Sequence, residues 1–323
     1  MSETTNPHLT PATASGDADH VEVDWDAGND QGWDGYMSLA EDPEAAGPIV
    51  DVPAWDPGPL PDDDALVAAL AEPYEVPDAA VRAFAADGFV KLPGVLSPGV
   101  VERLRQRLRT MLDEAVDPSV GFQSLEMMWL TDPVVRAAVL SPRIGRICAQ
   151  LLQVDAVRLY HDNALSKESG AGRTPWHYDD HHFPLDTSDA ITAWAPLQPT
   201  PREMGPLAFA RGMGLWEEVS KLPFDKHGTS YDRTVSEHLR DTGAEVEDGP
   251  FALGEVSFHS ALCLHTAGPN RTTTARMVLA NTYYADGARI VERPTMISGD
   301  WRKFLPGVGP GELAVSERNP IVG

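Results

Sequence analysis

Basic residues are missing from the first quarter of the chain: residues 1–75 contain 18 Asp and Glu and no Lys or Arg. That segment supplies −18 of the formal −24 and leaves −6 for the remaining 248 residues. So acidic a surface lacks the basic footprint that nucleic acid or an anionic membrane surface requires, and neither is expected as a partner. Long apolar runs are missing too. No stretch approaches the roughly 20 residues that cross a bilayer, and the start MSETTNPHLT has no charged-then-apolar leader, so the chain reads as cytoplasmic. Cysteine is scarce. Cys148 and Cys263 lie in the apolar runs RICAQLL and SALCLH and read as reduced core thiols, not as a disulfide.

What is present indicates an α+β chain. Residues 1–61 are rich in Asp, Gly, Pro, Ala and Thr without sustained periodicity. They read as an acidic extension, disordered or loosely docked through Trp25, Trp33, Tyr36 and Trp55. Residues 62–323 read as a single domain. Helices are expected in its first part: ALVAALAEP behind Asp64, and DAAVRAFAADGF opened by Pro77 and closed by Gly88. Two more start at Ser97-Pro98 and Ser141-Pro142. The third of these places Val100, Val101, Leu104, Leu108, Met111, Leu112 and Val116 on one face. After about residue 155 the period changes to short β-branched and aromatic runs between Pro-, Gly- and Asn-rich turns, which predicts a barrel or jelly roll with helices packed on one sheet. A polar stretch over 212–248 is long enough to be a lid.

Two segments carry chemistry. In TPWHYDDHHFP, strand alternation turns His177 and Asp179 to the same side, so an imidazole and a carboxylate can share a metal. In FHSALCLHTAGPNRTTTARMVLANTYY, His265 ends an apolar run, and Arg276 enters a strand whose Val278 and Ala280 share its face. Two histidines and one carboxylate form the ligand face used by iron(II) oxygenases, although zinc accepts similar donors. A buried Arg276 needs a carboxylate, from a bound 2-oxo diacid or from an Asp or Glu of the protein.

The motifs DGFVKLPGVLS, LYHDNALSKESGAGRTPWHYD, ITAWAPLQPT, MGPLAFARGMG, LGEVSFHSALCLHTAGPNRTTTAR and YADGARI occur in an order that resembles the phytanoyl-CoA dioxygenase (PhyH-like) family over roughly residues 78–295. The resemblance implies a double-stranded β-helix and an Fe(II)/2-oxoglutarate-dependent oxygenase that uses O2 on a small-molecule substrate. It further implies His177, Asp179 and His265 as iron ligands and Arg276 as the anchor of 2-oxoglutarate, with Asn163 and Trp194 lining the co-substrate pocket. The chain departs from the family in three places. Tyr178 replaces a common Gln between the ligands. MGPLAFARGMG replaces a Gly-Ser-His ending, which puts Arg211 near the rim. Ala267 stands where some members carry a hydroxyl near the co-substrate. Halogenating relatives have a small residue at the carboxylate position, so Asp179 argues against halogenation.

Tyr160, Trp176, His181, His182 and Arg211 are the candidate substrate contacts. His161 is as suited to packing as to binding, and His259 reads as a core histidine. Hydroxylation of a C–H bond is the expected reaction. Desaturation, epoxidation, cyclisation or epimerisation at the same metal is the alternative, followed by a cupin-type metalloenzyme or a non-catalytic ligand-binding barrel without 2-oxoglutarate.

Overall fold

The computed structural model describes residues 48–222, 230–294 and 301–323. Most of the expected extension, with Trp25, Trp33 and Tyr36, lies outside the described residues. The chain is seated earlier than residue 62. Val50 donates its N–H to the Arg271 carbonyl at 2.9 Å and accepts from the Thr273 N–H at 3.0 Å. Trp55 packs on the core.

Helices α1 (Asp63–Ala71), α2 (Asp78–Asp87), α3 (Pro98–Ala115), α4 (Pro133–Val139) and α5 (Pro142–Leu152) come first, with strands β1 (Phe89–Leu92) and β2 (Phe122–Glu126) between them. Asp62, two residues before the Asp64 expected to open it, caps α1 by accepting from the Ala65 N–H at 2.9 Å. Ser141 caps α5, and Asp132 ahead of Pro133 caps α4, a helix without an apolar period long enough to be read in the sequence. Gly88, with φ 86°, closes α2. The apolar face of α3 buries Val100, Val101, Leu104, Leu108 and Leu112, while Met111 and Val116 are only partly covered.

Strands β3 (Val157–Lys167), β5 (Ala190–Pro196), β8 (Val256–Ser260), β10 (Arg276–Ala285) and β11 (Ile321–Val322) join β1 in an antiparallel sheet ordered β1-β8-β5-β10-β3-β11, and β2 also pairs with β3. A smaller antiparallel sheet, ordered β4-β9-β6-β7, contains β4 (Thr174–His177), β6 (Leu207–Ala210), β7 (Val246–Glu247) and β9 (His265–Ala267). Alternation gives the large sheet two different faces. On β10, Met277, Leu279 and Tyr283 join the helix-covered core, and Val278 and Ala280 join the cluster between the sheets. The result is a jelly roll of two facing sheets with helices on the outer face of the larger. No described helix is long and apolar enough to cross a membrane.

Three local features shape the interior. The register of β3 on β10 steps from Thr282↔His161 to Tyr283↔Leu159, so Tyr160 is an inserted residue, and consecutive Tyr160 and His161 both line the internal cavity. Asp162, fully buried behind them, accepts from the N–H groups of Met128 and Trp129 at 3.0 and 3.3 Å and pins the turn that follows Glu126. Gly205 (φ 68°) lies against the Gly268 backbone so closely that a Cβ would overlap its carbonyl. The 212–248 stretch expected as a lid is largely helical: α6 (Leu215–Val219) and α7 (Ser230–Thr242) flank residues 223–229, which lie outside the described residues.

Gly205→Ala is expected to destabilise the protein by about 1–3 kcal/mol through backbone strain and overlap, measured by denaturant unfolding. Burial pushes the Asp162 carboxyl up to about 7 against the pull of its two backbone donors. The folded state therefore holds a proton that the unfolded chain has already lost, and stability falls as pH rises from about 4 to 7. Asp162→Asn, which cannot ionise, should gain stability relative to the parent across that window, by roughly 2–4 kcal/mol.

Candidate metal centre

The metal centre begins with strand pairing. His177 on β4 lies directly opposite His265 on β9, and their ring centroids are 4.1 Å apart. The Nδ1 of His177 meets the Pro175 carbonyl at 2.9 Å, and that of His265 meets the Cys263 carbonyl at 3.0 Å. A carbonyl can only accept, so each Nδ1 carries the proton and each Nε2 presents a free lone pair.

Asp179 reaches the same point by another route. β4 stops at His177, and Asp179 has helical backbone angles (φ −88°, ψ −19°) at the start of the 3-10 turn Asp180–His182. Its N–H is held by the Ala261 carbonyl at 2.8 Å. The carboxylate is therefore aimed by a turn docked on the β8–β9 corner and not by strand parity, the basis expected from sequence. His265 likewise opens β9 and does not end a long strand, because residues 261–264 turn the corner after β8.

Within this cluster Asp179 Oδ1 lies 3.9 Å from His177 Nε2 and 3.7 Å from His265 Nε2. The three candidate ligand atoms all fall within 4.8 Å of one another, so the residues present fit a small divalent ion. Oδ2 faces away, 3.5 Å from His259 Nε2 and 3.3 Å from the Thr192 hydroxyl, which also bonds Thr282 at 3.0 Å. Burial holds the pKa of His177 below the usual imidazole value and that of His265 well below it. Burial pushes the Asp179 carboxyl up, but the surrounding imidazoles, His265 foremost, outweigh it and keep the group well below the usual carboxylate range. Two neutral imidazoles and one carboxylate are the protonation states that metal ligation needs.

A cavity of about 160 Å³ opens on these ligands. Arg276, Trp194 and Asn163 line it as the sequence predicts, and Arg276, only 2% exposed, places its guanidinium carbon 5.3 Å from the Trp194 ring centroid. Arg276 Nη1 donates to the Gly205 carbonyl at 2.5 Å, whereas its buried Nε–H has no hydrogen-bond partner. Among the described residues no carboxylate pairs with it, which removes the protein ion pair weighed for it above. Tyr160 and His182 also line the cavity, and burial pushes His182 down to about 3.

Three candidate substrate contacts are placed elsewhere. His181 packs edge-on against Tyr178 and His182. Trp176 packs in a cluster with α7. Arg211 is tied to Asp87 at 2.7 Å and to Glu245 and Glu247 at 3.3 Å. None of the three lines the cavity.

The cavity also takes residues that sequence reasoning did not single out: Glu126, Thr192, Phe183 and Phe304. Thr192 shares the parity of Trp194 on β5 and could have been read from it. Phe304 had no sequence signal, since it arrives from the C-terminal segment and stacks on His161 at 4.7 Å. His259, read as a core histidine, is buried but sits on the candidate ligand Asp179. His259→Leu keeps apolar bulk and removes the donor that aims Asp179. It is expected to weaken Fe(II) binding to the folded apoprotein by roughly 10–100-fold in an anaerobic titration; unchanged affinity would return His259 to a packing role.

Residues 84–278 match the phytanoyl-CoA dioxygenase (PhyH) family. An L-proline trans-4-hydroxylase of Streptomyces griseoviridis is 27% identical over 258 residues, which is 71% of this chain and 95% of that enzyme. Among solved structures, the non-heme alpha-ketoglutarate-dependent carbocyclase SnoK from nogalamycin biosynthesis has a TM-score of 0.65 at 25% identity, over 78% of this chain and 100% of SnoK. EctD from S. alaskensis, solved with 2-oxoglutarate and 5-hydroxyectoine, shares the fold with a TM-score of 0.57 at 18% identity, over 77% of this chain and 92% of EctD. The chain belongs to the phytanoyl-CoA dioxygenase family and is an iron- and 2-oxoglutarate-dependent oxygenase.

Proposed function

We propose that the protein hydroxylates an unactivated C–H bond of a small molecule of bacterial secondary metabolism, with His177, Asp179 and His265 as iron ligands and Arg276 as the anchor of 2-oxoglutarate. The observation that carries the reading is a single cavity with a three-ligand cluster on one wall and, on the same lining, a buried arginine that has no protein carboxylate. An uncompensated buried guanidinium is costly, and a bound dicarboxylate removes the cost.

When bound, iron and 2-oxoglutarate supply the oxidation: O2 and 2-oxoglutarate give succinate and CO2, and the second oxygen atom enters the substrate C–H bond. The chain's own residues do the rest. His177 and His265 offer Nε2 because their Nδ1 atoms are committed to carbonyls, and Asp179 offers Oδ1 because His259 and Thr192 occupy Oδ2. A metal held on one face keeps its opposite face open for the co-substrate and O2. Tyr160, His161, Phe183 and Phe304 give the substrate side an aromatic wall, and Glu126, paired with Lys303 at 2.9 Å, adds a charged edge. Such a wall excludes water and holds a compact substrate near the metal.

A second reading, ring closure or epimerisation at the same centre, is favoured by the likeness to the carbocyclase SnoK. Product mass separates the two: hydroxylation adds one oxygen atom, whereas oxidative cyclisation removes two hydrogens. Anaerobic addition of 2-oxoglutarate to the iron(II)-loaded protein should give the weak visible charge-transfer band of a chelated 2-oxo acid. His177→Ala should lose the band, and Arg276→Ala should need roughly 10–100-fold more 2-oxoglutarate to develop it. A folded, iron-loaded parent without the band would overturn the reading.

A further inference from the structure

Arg276 does not stand alone at its end of the cavity. Its direct cross-strand partner on β3 is Lys167, which is fully buried. Directly opposed residues of an antiparallel pair point to the same face, and like charges so placed repel. Lys167 Nζ donates to the Thr174 hydroxyl at 3.0 Å and to the Gly268 carbonyl at 2.9 Å, both neutral acceptors. Among the described residues no carboxylate meets either cation. Burial first, and then Arg276 and Arg173, hold the Lys167 pKa well below the ordinary lysine value. Arg173 is separately satisfied by Asp232.

Thr174 links this lysine to the cavity. It lines the cavity with Arg276 and lies directly opposite Ala267 across β4 and β9. Because its hydroxyl oxygen accepts from Lys167, its hydrogen is left to donate to another group. Position 267 is where some family members supply a hydroxyl, and here it is alanine, so the neighbouring strand carries the hydroxyl instead.

We propose that Thr174, oriented by Lys167, is the second group that receives the distal carboxylate of 2-oxoglutarate beside Arg276, and that this pair makes the site select 2-oxo diacids over 2-oxo monoacids. The inference rests on Arg276 as the anchor. A carboxylate there would accept from Arg276 and from the Thr174 hydroxyl and lie near the Lys167 charge. A monoacid of the same length would leave those buried donors unmatched.

The test compares 2-oxoglutarate with 2-oxovalerate, the same five-carbon skeleton without the distal carboxylate, by anaerobic charge-transfer titration of iron(II)-loaded protein. Thr174→Val keeps the shape and removes the hydroxyl. It should weaken 2-oxoglutarate binding roughly tenfold and leave 2-oxovalerate within about twofold. Lys167→Met should behave alike; if it does not fold, Lys167→Gln takes its place. Ala267→Ser added to Thr174→Val should recover 2-oxoglutarate affinity, which a merely structural role for Thr174 would not allow. Equal losses for both acids, or no loss in either, would overturn the proposal and leave Lys167 as a clip between Thr174 and Gly268. Arg276→Met is the reference: if it too leaves discrimination intact, the anchor itself fails and this extension with it.

Discussion

The antiparallel pairing of His177 with His265 across β4 and β9 is the constraint on which the site depends. Directly opposed residues in such a pair face the same way, so one register brings two imidazoles from segments far apart in the chain to one point inside the roll. A one-residue slip would turn His177 to the outer face of the small sheet and leave Asp179 without its partner. Backbone carbonyls then select the tautomer on both rings, so the ligating nitrogens are prepared before any ion arrives. The Asp179 turn depends on the same corner, because the carbonyl that holds its N–H belongs to Ala261, between β8 and β9.

The large sheet keeps apolar and polar chemistry apart by alternation. Its outward residues bury against five helices and contribute most of the hydrophobic stabilisation. Its inward residues, His259, Thr192, Asn163, Arg276 and Lys167, can then be polar, because a small sheet, a metal and a co-substrate complete their surroundings. Charge is divided along the cavity: the carboxylate ligand sits among neutral imidazoles, and two buried cations lie side by side on β10 and β3. The folded chain thus holds the cost of two unmatched cations that a dicarboxylate would relieve, a way of favouring co-substrate binding without any moving part.

The alternating strands on either side of the cavity were legible from periodicity, as were the helix starts at Pro77, Ser97 and Ser141 and the inward face shared by Arg276, Val278 and Ala280. Helix α4 was not, since seven residues carry too little period. His259 was weighed as core because one buried histidine in an apolar run is most simply explained by packing; only its 3.5 Å approach to Asp179 shows another role. Arg211 looked like a rim residue and proves to be tied to Asp87, Glu245 and Glu247, partners that no local pattern connects to it.

By itself the sequence determined the α+β class, the order of the elements, the identity of the two histidines and the carboxylate, and the inward face of the arginine. These follow from residue type and short-range period, which act over a few residues. The tertiary structure decided how Asp179 is aimed, which oxygen it presents, that Tyr160 and His161 both face the cavity, and that Phe304 and Glu126 close the substrate side. Each of these depends on a bulge, a corner or a contact between distant segments, and a one-residue insertion in β3 reverses the parity on which a local reading relies.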